Sequence, residues 1–376
     1  MSIANRISAE LKGDRVIWSI VAILMLLSIL VVYSSTSTLA FQERGGNTEF
    51  YLLKQVVLLI VGFVFMYGAH LVHYRRYSLW SPYLLIGTIP LLLITLAVGT
   101  EVNSATRWID IPVIGLTFQT SDLAKISLIA YVARSITSKQ EYISDFQSAF
   151  LPIILPIVTV CLLIAPSNLS TALVIFVTCM LMMFIGRVAM KYIFLLLFCG
   201  FVAFAGLIVI GRVFPDKVRV ETWTKRARSF VEDAEGTTQT RMAKMAIARG
   251  GFVGNGPGNS IQKNFLPSAF ADYIYAIILE EYGLLGGVIV LGLYMLLFFR
   301  VVRLVTKSPK TFPAMLAIGL ALILTIQALA NMAVSVHLVP VTGMPLPLLS
   351  MGGTSLLFTC IAFGMILSVS KFIETD

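Results

Sequence analysis

The sequence predicts an all-α polytopic membrane protein, a bundle of about ten transmembrane helices with one large extracytoplasmic loop between the seventh and the eighth. Two observations predict it. Hydrophobic residues make up 58% of the chain and charged residues 12%, at a mean hydropathy of +0.90, far from the balance of a soluble domain. The apolar residues also fall into ten runs of membrane-crossing length, near residues 16–34, 53–71, 79–98, 121–136, 150–165, 169–188, 192–213, 273–302, 313–335 and 350–372. Short polar turns separate them, apart from one long polar stretch, residues 213–271.

In hydrocarbon every backbone amide must be bonded within its own segment, and these runs are too long and too uniformly apolar to alternate as barrel strands do. Helices are therefore expected through a single domain, residues 1–376. The first run follows Arg6, Lys12 and Arg15 and is read as a retained span, although Ser37 to Ala40 imitates a cleavage site. With residues 1–15 and 373–376 in the cytoplasm, the inner segments carry roughly 14 basic residues, Arg75, Arg76, Arg300 and Arg303 among them. The short outer loops carry Arg44, Lys54 and Arg107. That asymmetry places a multi-pass protein in the cytoplasmic (inner) membrane with both termini cytoplasmic.

The net charge of +9 is mostly this topology signal plus the outer loop, so membrane lipids are the expected partners and nucleic acid is not. Cys161, Cys179, Cys199 and Cys360 all fall in spans, without metal-ligand or CxxC spacing. The chain has no Walker or GxGxxG phosphate loop, which argues against an ATP-driven pump.

Four polar clusters fall on the outer side once the topology is drawn. In the first, Arg107-Trp108 precedes Gln119, Thr120, Ser121, Asp122 and Lys125. Thr120 or Ser121 suits an N-cap, and Lys125 lies three residues beyond Asp122 on the same face. Such a lysine either snorkels outward paired with Asp122 or forms a cationic lining that receives a diphosphate. The second cluster, Pro166-Ser167-Asn168, reads as a tight turn capping the next helix. In the third, two prolines and three glycines between Val341 and Ser355, around Ser350, forbid a continuous helix, which at membrane depth is tolerable only against protein or a water-filled cavity.

The fourth cluster is the long loop. Lys225-Arg226-Ala227-Arg228 is followed by an amphipathic segment, residues 239–249, which carries Lys244 and Arg249 and presents Gln239, Met242, Met245 and Ala246 at helical spacing. Its cations either ride in lipid headgroups or face a substrate. Glycines from Gly250 to Gly258 then supply a stop and a flexible, backbone-exposed turn. The loop ends on Asp272, at the lip of a span. A carboxylate at a lipid–water boundary, beside a loop rich in Arg and Lys, suits a substrate with an apolar tail and an anionic head. Glu280 and Glu281 lie roughly 12 to 14 Å deeper by helical rise. They read either as functional groups or as hydrogen-bonding partners of a neighbouring helix.

These clusters, in this order, resemble the SEDS family of shape, elongation, division and sporulation proteins, the RodA/FtsW/SpoVE group, over nearly the whole chain. The family pattern stands here as Arg107-Trp108, residues 119–125, 166–171, 248–256 and 266–273, Glu280-Glu281-Tyr282-Gly283, and residues 342–355. Asp122 replaces a Glu of that pattern, Asn168 an Asp, Ser268 a Glu and Ala271 a Thr, whereas Asp272 is retained. Gly13-Asp14-Arg15 and Val31-Val32-Tyr33-Ser34-Ser35 look more like the division branch.

The resemblance implies a peptidoglycan glycosyltransferase that polymerises lipid II on the outer face of the cytoplasmic membrane, with septal synthesis as its setting. It implies Asp272 as the catalytic base and Arg107, Gln119, Asp122, Lys125, Lys244, Arg249, Glu280 and Ser350 as substrate contacts. Lipid II, the growing glycan strand, a class B penicillin-binding protein that supplies transpeptidation, and divisome proteins are the implied partners. A divalent ion, magnesium or manganese, is compatible with this chemistry, its ligands unassigned, and no organic cofactor is called for. The competing readings are an elongation-type polymerase and, from another class, a flippase or transporter of the lipid-linked precursor, with Lys125 and Glu280 lining its path.

Overall fold

The computed structural model describes residues 12–102, 105–111, 116–213, 220–232, 238–266 and 269–375. The helices are α1 (Arg15–Ser35), α2 (Ser37–Arg44), α3 (Thr48–Leu71), α4 (Tyr74–Val98), α5 (Thr120–Ser138), α6 (Leu151–Ile164), α7 (Leu169–Ile185), α8 (Met190–Val213), α9 (Val220–Glu232), α10 (Thr238–Gly250), α11 (Ile274–Val305), α12 (Thr311–Ser335) and α13 (Gly353–Thr375). Each of the ten apolar runs is a helix. Eight are long and apolar enough to cross a membrane, α6 counted with the π-turn Phe146–Phe150 that leads into it. Helix α7 is 17 residues long, and α5 carries Asp122, Lys125 and Arg134.

Local chemistry fixes the ends. The Asp14 carboxylate accepts from the amides of Val16 (2.9 Å) and Ile17 (3.2 Å) to cap α1, and its other oxygen meets Arg300 Nε at 2.5 Å, tying α1 to the end of α11. Asn168 caps α7 by accepting from Thr171 N at 3.3 Å, as the turn chemistry predicts. Helices α12 and α13 are the most enclosed, whereas α8 is exposed along nearly its whole length, the surface a lipid-facing helix presents.

The structure amends the sequence reading in three places. Residues Thr100–Val102 (β1), Ala105–Ile111 (β2) and Leu116–Gln119 (β3) form a small antiparallel sheet in the order β1-β2-β3, so the protein is helical but not wholly so. In β2 Trp108 pairs with Gln119 of β3. The long loop contains two helices, α9 and α10, where one was expected.

Finally, α11 is broken at Gly283, whose φ of 66° and ψ of −168° are not helical. The Gly-rich stretch is not a free turn but is docked into that break. Asn255 N and Gly256 N donate to the carbonyls of Glu280 (3.1 Å) and Glu281 (2.9 Å), while Leu284 N and Leu285 N donate to Gly251 O (3.0 Å) and Phe252 O (3.2 Å). A break at membrane depth leaves backbone groups unbonded, and the loop supplies their partners.

Candidate functional site

The segment that carries Asp272 is stitched to the irregular stretch between α12 and α13. Met351 N donates to Phe270 O (3.0 Å), Ser350 Oγ to Ala271 O (2.6 Å), and Asn331 Nδ2 of α12 to Asp272 O (2.9 Å) and to Met344 O (2.8 Å). The irregular stretch itself is buried, with Leu346, Leu348 and Leu349 at most 2% exposed. Pro345, Pro347, Gly343 at φ 66° and Leu348 at φ 63° keep it from closing into a helix, so its carbonyls need side-chain donors. Gln327 Nε2 reaches Pro345 O (2.9 Å), Tyr294 Oη reaches Pro347 O, Ser28 Oγ reaches Leu349 O (3.2 Å) and Arg226 Nη1 reaches Val341 O (3.0 Å). Helices α1, α9, α11 and α12 thus hold one non-helical segment beside Asp272.

Asp272 is half-buried, and a Cβ built on Gly343 would stand 3.8 Å from its Oδ2. Thr342 and Met344, on either side of Gly343, line a cleft of about 460 Å³ between α7, α8, α9 and the 339–344 stretch. Its walls include Leu173, Phe204, Trp223, Val341 and Met344, and Arg226 is the cation among them. Trp223 stacks on Phe204 at 6.3 Å between centroids, which lays α9 over α8. Burial, with the charge of Asp272 adding to it, pushes the Tyr273 hydroxyl up to about 12 against the opposing pulls of Thr240 and Arg226.

Lys125 is linked to the irregular stretch through Gln327. Its Nζ pairs with Asp122 at 2.6 Å and donates to Gln327 Oε1 at 3.2 Å, the same Gln327 that holds Pro345. Gln119 is fixed at the start of α5, its amide N–H donating to Thr354 Oγ1 (3.2 Å) and its side chain to Ser121 Oγ (3.0 Å). Arg107 lies in β2, one residue before Trp108, and its side chain is outside the described residues, as are Pro267 and Ser268.

Helix α10 is not a free surface helix. It buries Thr240, Ala243, Ala246 and Gly250 against α11 and leaves Met245 exposed, so its inner face is rotated from the one expected, because small residues allow the closer approach. Its Lys244 lies near His337, and Arg249 is exposed.

Two expected substrate contacts are engaged elsewhere. The Glu280 carboxyl group accepts from the Ser260 hydroxyl and from the amides of Ile261 (3.1 Å) and Gln262 (3.3 Å), so it secures the loop. Glu281 accepts from the Ser34 hydroxyl and from Ser260 N (3.4 Å). Ser350, between Leu346 N (2.8 Å) and Ala271 O, is a brace of the rim. Asn331 is the residue that the sequence reading passed over, and Arg226 stood there only as one of a run of loop cations. Gln327, Asn331 and Ser335 recur every fourth residue on an otherwise apolar helix, which marks a polar face turned to protein. Among the described residues no group of three or more His, Cys, Asp or Glu side chains gathers to hold a metal.

Residues 14–375 match the family model described as cell cycle protein, FtsW/RodA/SpoVE. The chain is 32% identical over 361 residues to the probable peptidoglycan glycosyltransferase FtsW of Geobacter sp. (strain M18), covering 95% of this chain and 96% of that one. It is 29% identical over 363 residues to stage V sporulation protein E of Bacillus subtilis (strain 168), covering 96% and 97%. Among solved structures, it aligns with a TM-score of 0.73 and 25% identity to a chain of the work "Structural coordination of polymerization and crosslinking by a peptidoglycan synthase complex", over 97% of this chain and 99% of that one. Rod shape determining protein RodA of Thermus thermophilus aligns with a TM-score of 0.69 and 23% identity, over 97% and 98%. A family match from the cap of the first helix to the end of the last, on a shared architecture, shows that the chain belongs to the FtsW/RodA/SpoVE family.

Proposed function

We propose that this protein is a peptidoglycan glycosyltransferase that polymerises lipid II on the outer face of the cytoplasmic membrane, with Asp272 as general base. The observation that carries the proposal is Asp272 beside Gly343, whose neighbours Thr342 and Met344 line a largely apolar cleft with Arg226 as its cation. A lipid-linked diphosphate has the matching parts: an apolar tail, an anionic head and a sugar to deliver. Two membrane faces have to be told apart, and the excess of basic residues in the short segments on the side opposite the loop favours cytoplasmic termini.

In the reaction the Asp272 carboxylate takes the proton of an acceptor sugar hydroxyl as that oxygen attacks the anomeric carbon of the donor. The bond from that carbon to the diphosphate breaks, and undecaprenyl diphosphate leaves with the electron pair. Glycosidases use a second carboxyl group to protonate the leaving oxygen, but a diphosphate departs as an anion and needs positive charge instead. In this reading Arg226 supplies it, with Lys125 as the second cation. A single carboxylate at the rim suits a magnesium or manganese ion shared with substrate phosphates, not an all-protein cage; such an ion would add charge where the leaving group develops it.

The likeness to relatives named FtsW supports a role in septal synthesis, and the likeness to a chain of a peptidoglycan synthase complex supports a class B penicillin-binding protein as partner. Incubating the purified full-length chain with labelled lipid II, alone and with such a partner, tests the proposal. Glycan chains from wild type and none from Asp272→Asn are expected; translocation in vesicles without chains would point to a transporter.

A further inference from the structure

Asn331 is 1% exposed, one helical turn beyond Gln327 on α12. Both protons of its Nδ2 are used, one on Asp272 O and one on Met344 O, while its Oδ1 is buried with no hydrogen-bonding partner among the described residues. The two neighbours of the nitrogen are carbonyls, which only accept, so the amide cannot turn over without setting oxygen against oxygen. Those carbonyls belong to two separate segments: the rim that carries the aspartate, and the irregular stretch that meets it at Gly343.

We propose that Asn331 is a positioning residue, a two-pronged clamp that sets the separation between Asp272 and residues 342–346. The inference rests on the reading of Asp272 as the base, but the clamp itself can be measured without activity. Ser350 supplies a second tie on the adjacent carbonyl, Ala271 O, and takes its own support from Leu346 N. Two consecutive peptide groups are thereby held from two directions, and the aspartate side chain swings from an anchored backbone. Reaction rates depend steeply on such placement, because a base displaced by an ångström no longer reaches the proton it must take.

The test compares full-length wild type with Asn331→Asp, which keeps the shape and removes the donor, Asn331→Leu, which keeps the volume, Ser350→Ala, and the double variant Asn331→Asp/Ser350→Ala. Asn331→Asp is expected to lower kcat roughly 10-fold or more with KM within about two-fold, a split that loss of substrate contacts would not give. The double variant should lose less than the product of the single losses, because both ties hold one rim. Hydrogen exchange should quicken in residues 270–273 and 342–346 together in Asn331→Leu. Unchanged kcat in both Asn331 variants, or exchange that quickens in only one of the two segments or in neither, overturns the clamp. A wild-type chain that makes no glycan with its partner would instead overturn the assignment of Asp272, and the exchange measurement still decides the clamp.

Discussion

Gly254 and Gly283 meet backbone to backbone: a Cβ on Gly254 would stand 2.5 Å from Gly283 N, and one on Gly283 would stand 2.5 Å from Gly254 N. Their φ angles, 90° and 66°, are left-handed, so neither glycine has a substitute that keeps both the conformation and the contact. Gly250 makes the same kind of contact, its added Cβ falling 1.9 Å from Leu279 O.

Substitution at either member of the pair should therefore undock the loop. Gly254→Ala and Gly283→Ala each combine about 1–2 kcal/mol of backbone strain with about 1–3 kcal/mol of overlap. Gly251→Ala, at φ 53° with open space around it, should cost only the strain. Thermal unfolding in detergent, with limited proteolysis of residues 251–266, reads the ranking.

Asp272→Asn keeps the shape of the side chain and removes its basicity. The predicted loss is ~10²–10⁴-fold in kcat with a much smaller effect on the melting temperature, since the ties from Asn331 and Ser350 run to backbone carbonyls that the substitution keeps. A steady-state assay with lipid II, paired with a melting curve, checks both halves.

Glu280 should behave as a structural residue. Truncation to Ala strands the Ser260 hydroxyl and the amides of Ile261 and Gln262, at a cost of about 3 kcal/mol or more. Glu280→Gln, which retains one acceptor oxygen, should lose less. In both, the molecules that remain folded should show wild-type KM; a raised KM with intact stability would return Glu280 to the substrate path.

The Lys125–Asp122 pair is nearly enclosed, with side-chain exposures of 14% and 2%. Removing one charge leaves the other behind, so Lys125→Met and Asp122→Asn should each destabilise by a few kcal/mol, up to about 3–5 kcal/mol. The double variant should recover part of that loss. A melting-temperature double-mutant cycle measures the coupling, and a KM rise specific to Lys125→Met would report its contact with the diphosphate.

His337, beside the Phe230 ring at 5.0 Å, ties α9 to the end of α12. Burial first, and the Lys244 charge second, hold its imidazole below the ordinary value of 6.5. The folded state thus disfavours the proton, and stability is full above pH 6.5 and declines as pH falls through that value. Protease sensitivity of residues 220–250 should rise between pH 7.5 and 5.5 in wild type, and His337→Gln should flatten that rise.

The spans were legible because hydrocarbon leaves a long apolar run one backbone solution, and the place of Asp272 just ahead of α11 was legible because a carboxylate at a span's lip stands out against its neighbours. The sheet of residues 100–119 was not, since its strands are three, seven and four residues long and its motif residues, Arg107, Trp108 and Gln119, read as polar clusters. Helix α9 hid behind Lys225, Arg226 and Arg228, although Val220, Trp223, Ala227 and Phe230 mark an apolar stripe at helical spacing. The break at Gly283 depends on a partner thirty residues earlier in the chain, and no local pattern announces a contact of that kind. For Glu280 and Ser350 residue type and depth suggested chemistry, whereas the loop and rim partners they hold lie far off in sequence and left no local signal.

The irregular stretch before α13 takes its donors from Ser28, Arg226, Tyr294, Gln327 and Asn331, so it cannot be inherited piecemeal. A hybrid that borrowed α12 from a relative of about one-third identity would have to bring that relative's residues 341–351 with it, and helices α1, α9 and α11 to match. Drift at these positions is therefore coupled, and the segment and its helices can be expected to diversify as one inherited unit.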